Sequence, residues 1–411
     1  NKKFSYINNK NSQNLTERLT SLYLWKNINK SLTFKYRYFR KLGLHAFFSK
    51  KQFFLIKVLR FLKFSIYTNK LWYLLLPFFA SKILFKLSFN FFFNKIEVSK
   101  QLIENLEQNK YDLILIPSHY FEIETACIKK MRLSTKAKFL VLINNWDNLS
   151  SKGTYWHLPE YMGVWGKQAK EHAINIQGFR NEQINIIGSP IYDKYFEIRN
   201  EQIKSFFSFD YILFTGCNLP FDEITVLKKI DKLLNENNEF SKIKIVYRPH
   251  PFREKRDCFD NFYENEFKNI ILDPQIKDIY YKKKSKGIEN LSLDYYPSLI
   301  KNALFIIAPL STMLLESLIF YKKVLILSHN DDFHYTTPHR NLKNFEHLKP
   351  IRKSNLVSFS YDKGDLLEKL KFVLNLKNIN YKEYDALIDY ILYFDQLDYK
   401  TRLLNFVKKV I

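Results

Sequence analysis

From Asn109 onward, short runs of consecutive apolar residues alternate with stretches of helical periodicity. These runs include LILI, FLVLI, YILF, LFIIA and VLIL. A strand that is apolar without alternation is buried on both faces, and parallel strands need long connections that are usually helices. The pattern therefore predicts an α/β fold in which parallel sheets carry helices on both faces.

The pattern restarts at DYILFTGC, after the polar connector FEIRNEQIKSFFSF (196–209). A chain of 411 residues is long for one domain. We expect two Rossmann-like doubly wound domains facing a cleft, and ligands bind such sheets outside the carboxyl ends of the strands. The predicted divisions are a basic aromatic helical region (1–100), an N-terminal Rossmann-like domain (101–205), a C-terminal Rossmann-like domain (206–385) and C-terminal helices expected to cross back to the N-terminal domain (386–411).

The composition is strongly basic, with 65 Lys and Arg against 41 Asp and Glu and a formal charge of +24. Such a chain attracts polyanions, which include nucleic acid, anionic lipid and phosphorylated substrates. Its three Cys are far apart, so neither a disulfide framework nor a zinc site is indicated, and a reducing cytoplasm fits.

The most apolar stretch, LWYLLLPFFASKILFKLSFNFFF (71–93), is interrupted by Pro77, Lys82 and Lys86. A clean membrane span needs about 20 apolar residues. We interpret the stretch as an interfacial or buried helical segment. The cations and aromatics upstream suit either a helix on an anionic membrane surface or a basic helix packed on its own domain.

The motif YRPHP (247–251) follows a predicted strand from Lys244 to Tyr247. Its two prolines fix the backbone and end the strand. An imidazole N–H of His250 suits a phosphate oxygen, and Arg248 adds a bidentate donor. An ordinary histidine in a solvated, proline-rich turn is the alternative.

A second predicted strand ends at APLSTMLLESL (308–318), where a helix begins at Ser311 or Thr312. Free N–H groups at a helix start, completed by two hydroxyls, form an anion site. Glu316 lies one turn further along and is placed to accept hydrogen bonds from a ribose. The alternative is an ordinary N-cap followed by a solvated Glu. Gly216, at the end of YILFTG, also stands at a strand end, and we assign it to the same phosphate-binding site, called the donor site below.

Two further groups lie in the amino half. In NNWDNLSSKGTYW, Asp147 is a candidate catalytic carboxylate, and Trp146, Asn148 and Lys152 are candidate acceptor-binding residues; an Asx-type turn is the alternative. In SHYFEIE, His119 and Glu124 are candidate general bases, although acids early in a helix also stabilise its dipole. His329, His334 and His339 lack the spacing of a helical metal site, so we assign them to a loop near the cleft. No Walker, GxGxxG, HExxH or GxSxG motif occurs.

The pair of motifs YRPHP and APLSTMLLESLIFYKKVLIL resembles the carboxyl half of the CDP-glycerol glycerophosphotransferase and bacterial polysialyltransferase group, which has the GT-B glycosyltransferase fold. The resemblance implies that His250, Ser311 and Thr312 contact the donor's cytidine nucleotide phosphates and that Glu316 is the acid of that helix. It also implies that residues 101–205 form the acceptor domain and residues 206–385 the nucleotide-donor domain. WDNLSSKG, VWGKQAKEHA and INIIGSPIYDKYF look like the amino half of GT-B surface-polysaccharide proteins. The resemblance covers roughly residues 110–330, and it lacks a counterpart to the amino-half acidic motif of the polysialyltransferases.

These observations predict a metal-independent transferase that needs no cofactor and uses a nucleotide-activated donor, CMP- or CDP-linked by preference, to build a cell-surface polysaccharide. We expect a glycan or lipid-linked acceptor, an anionic membrane surface as partner, no nucleic acid, and a location at the inner face of the cell membrane. Two alternatives remain open at this stage. One is a nucleotide-sugar epimerase of the same fold, and the other is a basic nucleic-acid-binding protein without catalysis.

Overall fold

A computed structural model of the chain describes residues 15, 18–19, 21–22, 24–41, 58, 70–79, 82–118, 128–152, 154–217, 221–250, 262, 266–276, 295–330 and 336–411. The chain divides into two compact units. Unit 1 comprises residues 1–190, 344–347 and 389–411, and unit 2 comprises residues 191–343 and 348–388.

The first part of unit 1 is helical. Its helices are α1 (Leu32–Lys41), α2 (Lys70–Phe79), α3 (Lys82–Asn94) and α4 (Lys100–Gln108). One side of α3 is buried, because Phe89, Phe92 and Phe93 share an apolar cluster with Leu76 of α2 and with Trp156. Within the described ranges, no helix combines the length and the apolar character needed to cross a bilayer.

The sheet of unit 1 has four parallel strands in sequential order. The strands are β1 (Leu113–Ser118), β2 (Lys138–Ile143), β3 (Tyr161–Val164) and β4 (Ile184–Ile186), with α5 (Lys167–His172) between the last two. The loop after β2 contains a π-helical turn, Asn148–Lys152.

Unit 2 contains a six-stranded parallel sheet, in the order β10-β9-β8-β5-β6-β7. In chain order the elements from residue 190 to residue 391 are α6 (Pro190–Glu197), β5 (Tyr211–Thr215), α7 (Glu223–Glu236), β6 (Lys244–Arg248), β7 (Ile270–Leu272), α8 (Tyr295–Asn302), β8 (Ile306–Ala308), α9 (Met313–Ile319), β9 (Val324–Leu327), α10 (Pro338–Asn344), α11 (Lys349–Lys353), β10 (Val357–Ser360), α12 (Leu366–Asn375) and α13 (Tyr381–Ile391). Every residue of β5, β8 and β9 is buried, as expected of strands covered on both faces.

The last helix, α14 (Tyr399–Val410), belongs to unit 1. Asp398 caps it by accepting a hydrogen bond from the Thr401 N–H at 2.8 Å. Phe406 and Val410 then pack with Leu140 of β2 and with Ile187. The C-terminal segment therefore helps to build the first sheet's core.

The predicted α/β class is confirmed, because both sheets are parallel and their strands alternate with helices. The helical region expected near the N-terminus is present in α1 to α3. Strands β3 and β10 were not anticipated from the sequence.

Candidate functional site

The strand order of unit 2 contains one reversal. From β5 the chain moves to β6 and β7 on one side, and it then returns to place β8 on the other side of β5. In open parallel sheets the crevice at such a reversal, outside the carboxyl ends of the two strands, is where ligands bind. Here those ends are Thr215 and Ala308, so the loops that follow them form the candidate site.

Gly216 brings the loop after β5 against the loop after β6. Its N–H donates to the Arg248 carbonyl at 2.7 Å. A Cβ at this position would lie 2.8 Å from the His250 nitrogen and 2.9 Å from the Pro249 Cα. Only a residue without a side chain fits so close a contact, so Gly216 and His250, both assigned to the donor site, are brought together.

Glu223, in the first turn of α7, also anchors the loop that contains Gly216. This carboxylate is buried and accepts hydrogen bonds from the Cys217 N–H at 2.9 Å and from the Tyr247 hydroxyl at 2.6 Å. Because one of these donors belongs to the loop and the other to β6, Glu223 fixes the loop relative to the strand.

Arg248 is placed differently from its neighbour His250. Its side chain is buried, ion-paired with Asp273, and donates to the Gln275 amide oxygen at 2.9 Å. The guanidinium carbon lies 3.5 Å from the centre of the Tyr296 ring. Asp273 also accepts a hydrogen bond from the Tyr295 hydroxyl at 2.6 Å. These contacts hold the guanidinium rigidly at the end of β6.

Glu316 lies on α9 and is 9% exposed. The Tyr195 hydroxyl donates to its carboxylate at 3.2 Å. Burial raises the pKa of Glu316 to about 7, although the Tyr195 hydrogen bond and the positive charge of Arg248 act in the opposite direction. Glu316 and Arg248, predicted from separate motifs, therefore lie within electrostatic range of each other.

Three buried polar atoms at these strand ends have no hydrogen-bond partner in the part of the chain that the structure describes: Thr215 Oγ1, Arg248 Nε and Ser311 Oγ. A buried donor without a partner costs free energy that a bound acceptor can recover. The adjacent Thr312 is exposed. Since β5 separates β6 from β8, two strand spacings of about 4.8 Å place these donors across roughly 10 Å. That span suits a ligand that carries several oxygen acceptors.

The candidate residues of the loop after β2 lie in unit 1. Trp146 is buried, with its ring 4.8 Å from the His347 ring, and Asn148 is almost completely buried. Asp147 and Lys152 form an ion pair at 3.4 Å and retain side-chain exposures of 19% and 47%. Asp147 and Lys152 are therefore more accessible to solvent than Trp146 and Asn148.

The backbone of the same loop is anchored by long-range hydrogen bonds. Ser31 donates to the Ser150 carbonyl at 3.0 Å, and Gln177 donates to the Leu149 carbonyl at 2.6 Å. Arg37 donates to the Lys152 carbonyl at 2.5 Å. A loop tied at three points holds Asp147 in a fixed position.

The two predicted general bases, His119 and Glu124, lie outside the described residues, and both remain predictions. Of the late histidines, His334 is also outside that range. His329 follows β9 and is buried, with Nε2 2.8 Å from the Ser360 hydroxyl. Burial lowers the pKa of His329 to about 4.

Sequence reasoning missed the residues that support this site, namely Glu223, Asp273, Gln275 and Tyr195. Asp273 did carry a signal, because it directly follows the apolar run NIIL and so stands at a strand end like the other candidates. Glu223 looked like an acid that complements the dipole of α7. The hydrogen bonds that give these residues their roles come from strand pairing and helix packing, which the sequence does not display.

No protein-family model and no curated protein sequence matches the chain. Among solved structures, Staphylococcus aureus MnaA with UDP is 15% identical, with 77% of this chain and 80% of that chain covered and a TM-score of 0.46. UDP-GlcNAc 2-epimerase from Methanocaldococcus jannaschii is 17% identical, with 74% and 80% covered and a TM-score of 0.45. A variant of S. aureus TarM in complex with Fondaparinux, alpha-GlcNAc-glycerol and UDP is 10% identical, with 75% and 58% covered and a TM-score of 0.38. Likeness at this level assigns no activity to the present chain.

Proposed function

We propose that the chain is a GT-B transferase whose unit 2 binds the nucleotide phosphates of an activated sugar or glycerol phosphate. One observation carries the proposal: unsatisfied buried donors from Thr215, Arg248 and Ser311 occur together at the reversal point of a parallel sheet. Unsatisfied donors at that place suit an anion with several oxygens better than a neutral ligand.

In this proposal, His250, Ser311 and Thr312 donate to the departing nucleotide phosphate in place of a divalent ion. The bond from the transferred group to that phosphate breaks, and a bond to an acceptor hydroxyl forms. Negative charge grows on the leaving phosphate, so donors fixed in advance stabilise the transition state more than the ground state. The proton of the acceptor hydroxyl passes to a general base, for which Asp147, His119 and Glu124 are the candidates.

We assign Arg248 a positioning role. Two of its guanidinium nitrogens are bound by Asp273 and Gln275, and the group lies over the Tyr296 ring, so Arg248 supports the strand that delivers His250. Its unsatisfied Nε–H and its positive charge remain to interact with the phosphate. Glu316 remains the proposed acceptor for a ribose hydroxyl. The acceptor substrate is proposed to be a growing surface glycan, and cytidine remains the preferred base.

Calorimetric titration of the full chain with CMP, CDP, UDP and GDP tests this proposal. We expect CMP or CDP to bind, and Ser311→Ala and His250→Ala each to weaken that binding about tenfold or more, because each removes a hydrogen bond to a charged group. Ser241→Ala is the matched control, because Ser241 precedes β6 and therefore lies at the amino end of that strand, away from the candidate site at the carboxyl ends.

Affinities that are unchanged in both site variants would contradict the proposal, as would failure of all four nucleotides to bind. Uridine preference would keep the site and change the donor class. An epimerase would use the same donor site, so product analysis separates the two activities: an epimerase converts the nucleotide sugar without an acceptor, whereas a transferase releases the nucleotide only as the acceptor is extended.

A further inference from the structure

Helices α2 and α3 of unit 1 present large apolar side chains to solvent. On α2 these are Leu74, Leu75 and Phe78, with exposures of 58%, 37% and 69%. On α3 they are Ile83, Leu84, Leu87 and Phe91, with exposures of 74%, 44%, 61% and 56%. We call these seven side chains the apolar face. Exposed apolar groups in such number mark an interaction surface.

The apolar face of α3 is distinct from its core-packing side. At 100° per residue, Ile83, Leu84, Leu87 and Phe91 fall within an arc of about 100°. Phe89, Phe92 and Phe93 lie on the other side of the helix and pack into unit 1. The helix is therefore anchored by one side while the other remains exposed. The same spacing recurs in α2, where Leu74, Leu75 and Phe78 are exposed and Leu76 is buried.

The segment of the chain that contains the apolar face is strongly basic. Residues 18–96 contain sixteen Lys and Arg and no Asp or Glu. Lys95 places its ammonium 4.0 Å from the centre of the Phe91 ring, and Lys86, one residue before Leu87, is exposed. Apolar side chains bordered by cations suit the boundary between acyl chains and anionic headgroups.

We propose that the apolar face docks this protein onto an anionic lipid bilayer, with its Leu, Ile and Phe side chains among the acyl chains and the flanking lysines at the headgroups. Nucleic acid would use the cations but would leave the apolar side chains in water. A second copy of the chain would bring two strongly basic surfaces together. The inference does not depend on the function proposed for unit 2.

Vesicle co-sedimentation of the full chain tests the proposal, with phosphatidylcholine vesicles compared to phosphatidylcholine–phosphatidylglycerol vesicles. The test variant is Leu87→Glu with Phe91→Glu. The control is Phe372→Glu with Leu404→Glu, which makes the same change in charge at residues that are 55% and 47% exposed elsewhere. Circular dichroism establishes that both variants are folded.

We expect the wild type to bind the anionic vesicles more tightly than the neutral ones. The face variant should lose about tenfold or more in affinity, and the control should stay within about twofold, because only the former loses apolar burial. Equal losses of vesicle affinity in both variants would show that the loss comes from the added negative charge alone, and this result would overturn the proposal. The proposal would also be overturned if the wild type did not bind anionic vesicles. In that case, loss of self-association by the face variant in sedimentation velocity would point to a second copy of the chain, and weakened RNA binding would point to nucleic acid.

Discussion

Burial raises the pKa of Glu316 to about 7 from an ordinary value of 4.5, so in the folded chain this group is partly protonated near neutral pH. Between these values the folded state binds more protons than the unfolded state. The free energy of unfolding therefore falls as the pH rises from about 4.5 through about 7, and the loss is complete only above that pH. The contribution is on the order of 3 kcal/mol, at 1.36 kcal/mol for each unit of pKa.

The substitution Glu316→Gln should remove this dependence while it retains an acceptor for the Tyr195 hydroxyl. We expect the variant to gain stability relative to the wild type as the pH rises from 5 to 8, because the wild type alone must bury a carboxylate as it ionises. Urea unfolding at each pH measures the difference. The control is Glu383→Gln, at an exposed position of unit 2. A difference that stays constant across this range would show that Glu316 does not titrate there.

Arg248 and His250 show what a single residue's sequence context leaves undetermined. The sequence groups them as two donors in one motif. The structure buries Arg248 against Asp273, which lies 25 positions further along the chain and is brought close by the pairing of β6 with β7. His250, two residues later, has already left the strand. Their different environments depend on which strand pairs with β6, and the sequence of the motif does not determine that pairing.

Among the elements, the strands that could be predicted are those with uninterrupted apolar runs, such as β2, β5 and β9. The two that were missed have weaker patterns: β3 is YMGV and β10 is VSFS. Gly163 of β3 is of a type that usually indicates a turn, yet here it leaves room for the side chains of Leu142 and Ile187, which a Cβ would approach to 2.9 Å and 2.6 Å. Packing by side chains from other segments cannot be recognised in the sequence of the strand itself.

The contact between the loops after β5 and β6 makes Gly216→Ala a sharp test of the candidate site. The added methyl group would press on the His250 nitrogen and on the Glu223 carboxylate, each at 2.8 Å. We expect the loops to separate and the affinity for the bound nucleotide to fall about tenfold or more, since both loops contribute to the proposed site. Calorimetric titration measures the loss.

Gly178→Ala provides the matched control in unit 1. Gly178 has a positive φ of 84° with no atom near its missing Cβ, so alanine there should cost about 1 kcal/mol of stability through backbone strain alone. Nucleotide affinity should not change. If the two glycine variants affected affinity equally, the effect at Gly216 would be a general loss of stability and not a displaced loop.

At the scale of the whole molecule, each unit is assembled from segments that are distant along the chain. Unit 1 is completed by residues 389–411, which follow the entire sheet of unit 2. The sequence does predict the final helix, because apolar residues recur with helical spacing over Lys400–Val410. Periodicity indicates that one side of a helix is buried, and we expected this helix to cross back to the N-terminal domain, but the pattern does not identify the residues that cover the buried side. Only the fold shows that α14 packs against β2 and Ile187.

This arrangement predicts that a residue near the C-terminus stabilises a core whose strands begin nearly 300 positions earlier. Phe406 is buried against Leu140, Ile187 and Tyr161, so Phe406→Ala should lower the free energy of unfolding by about 3–5 kcal/mol through lost burial and the cavity left behind. Leu404→Ala, on the same helix but 47% exposed, should cost far less. Thermal unfolding measures the loss of stability, and protease susceptibility of residues 138–187 shows whether the loss occurs in the sheet of unit 1. Equal effects of the two substitutions would mean that α14 contributes no core to this sheet.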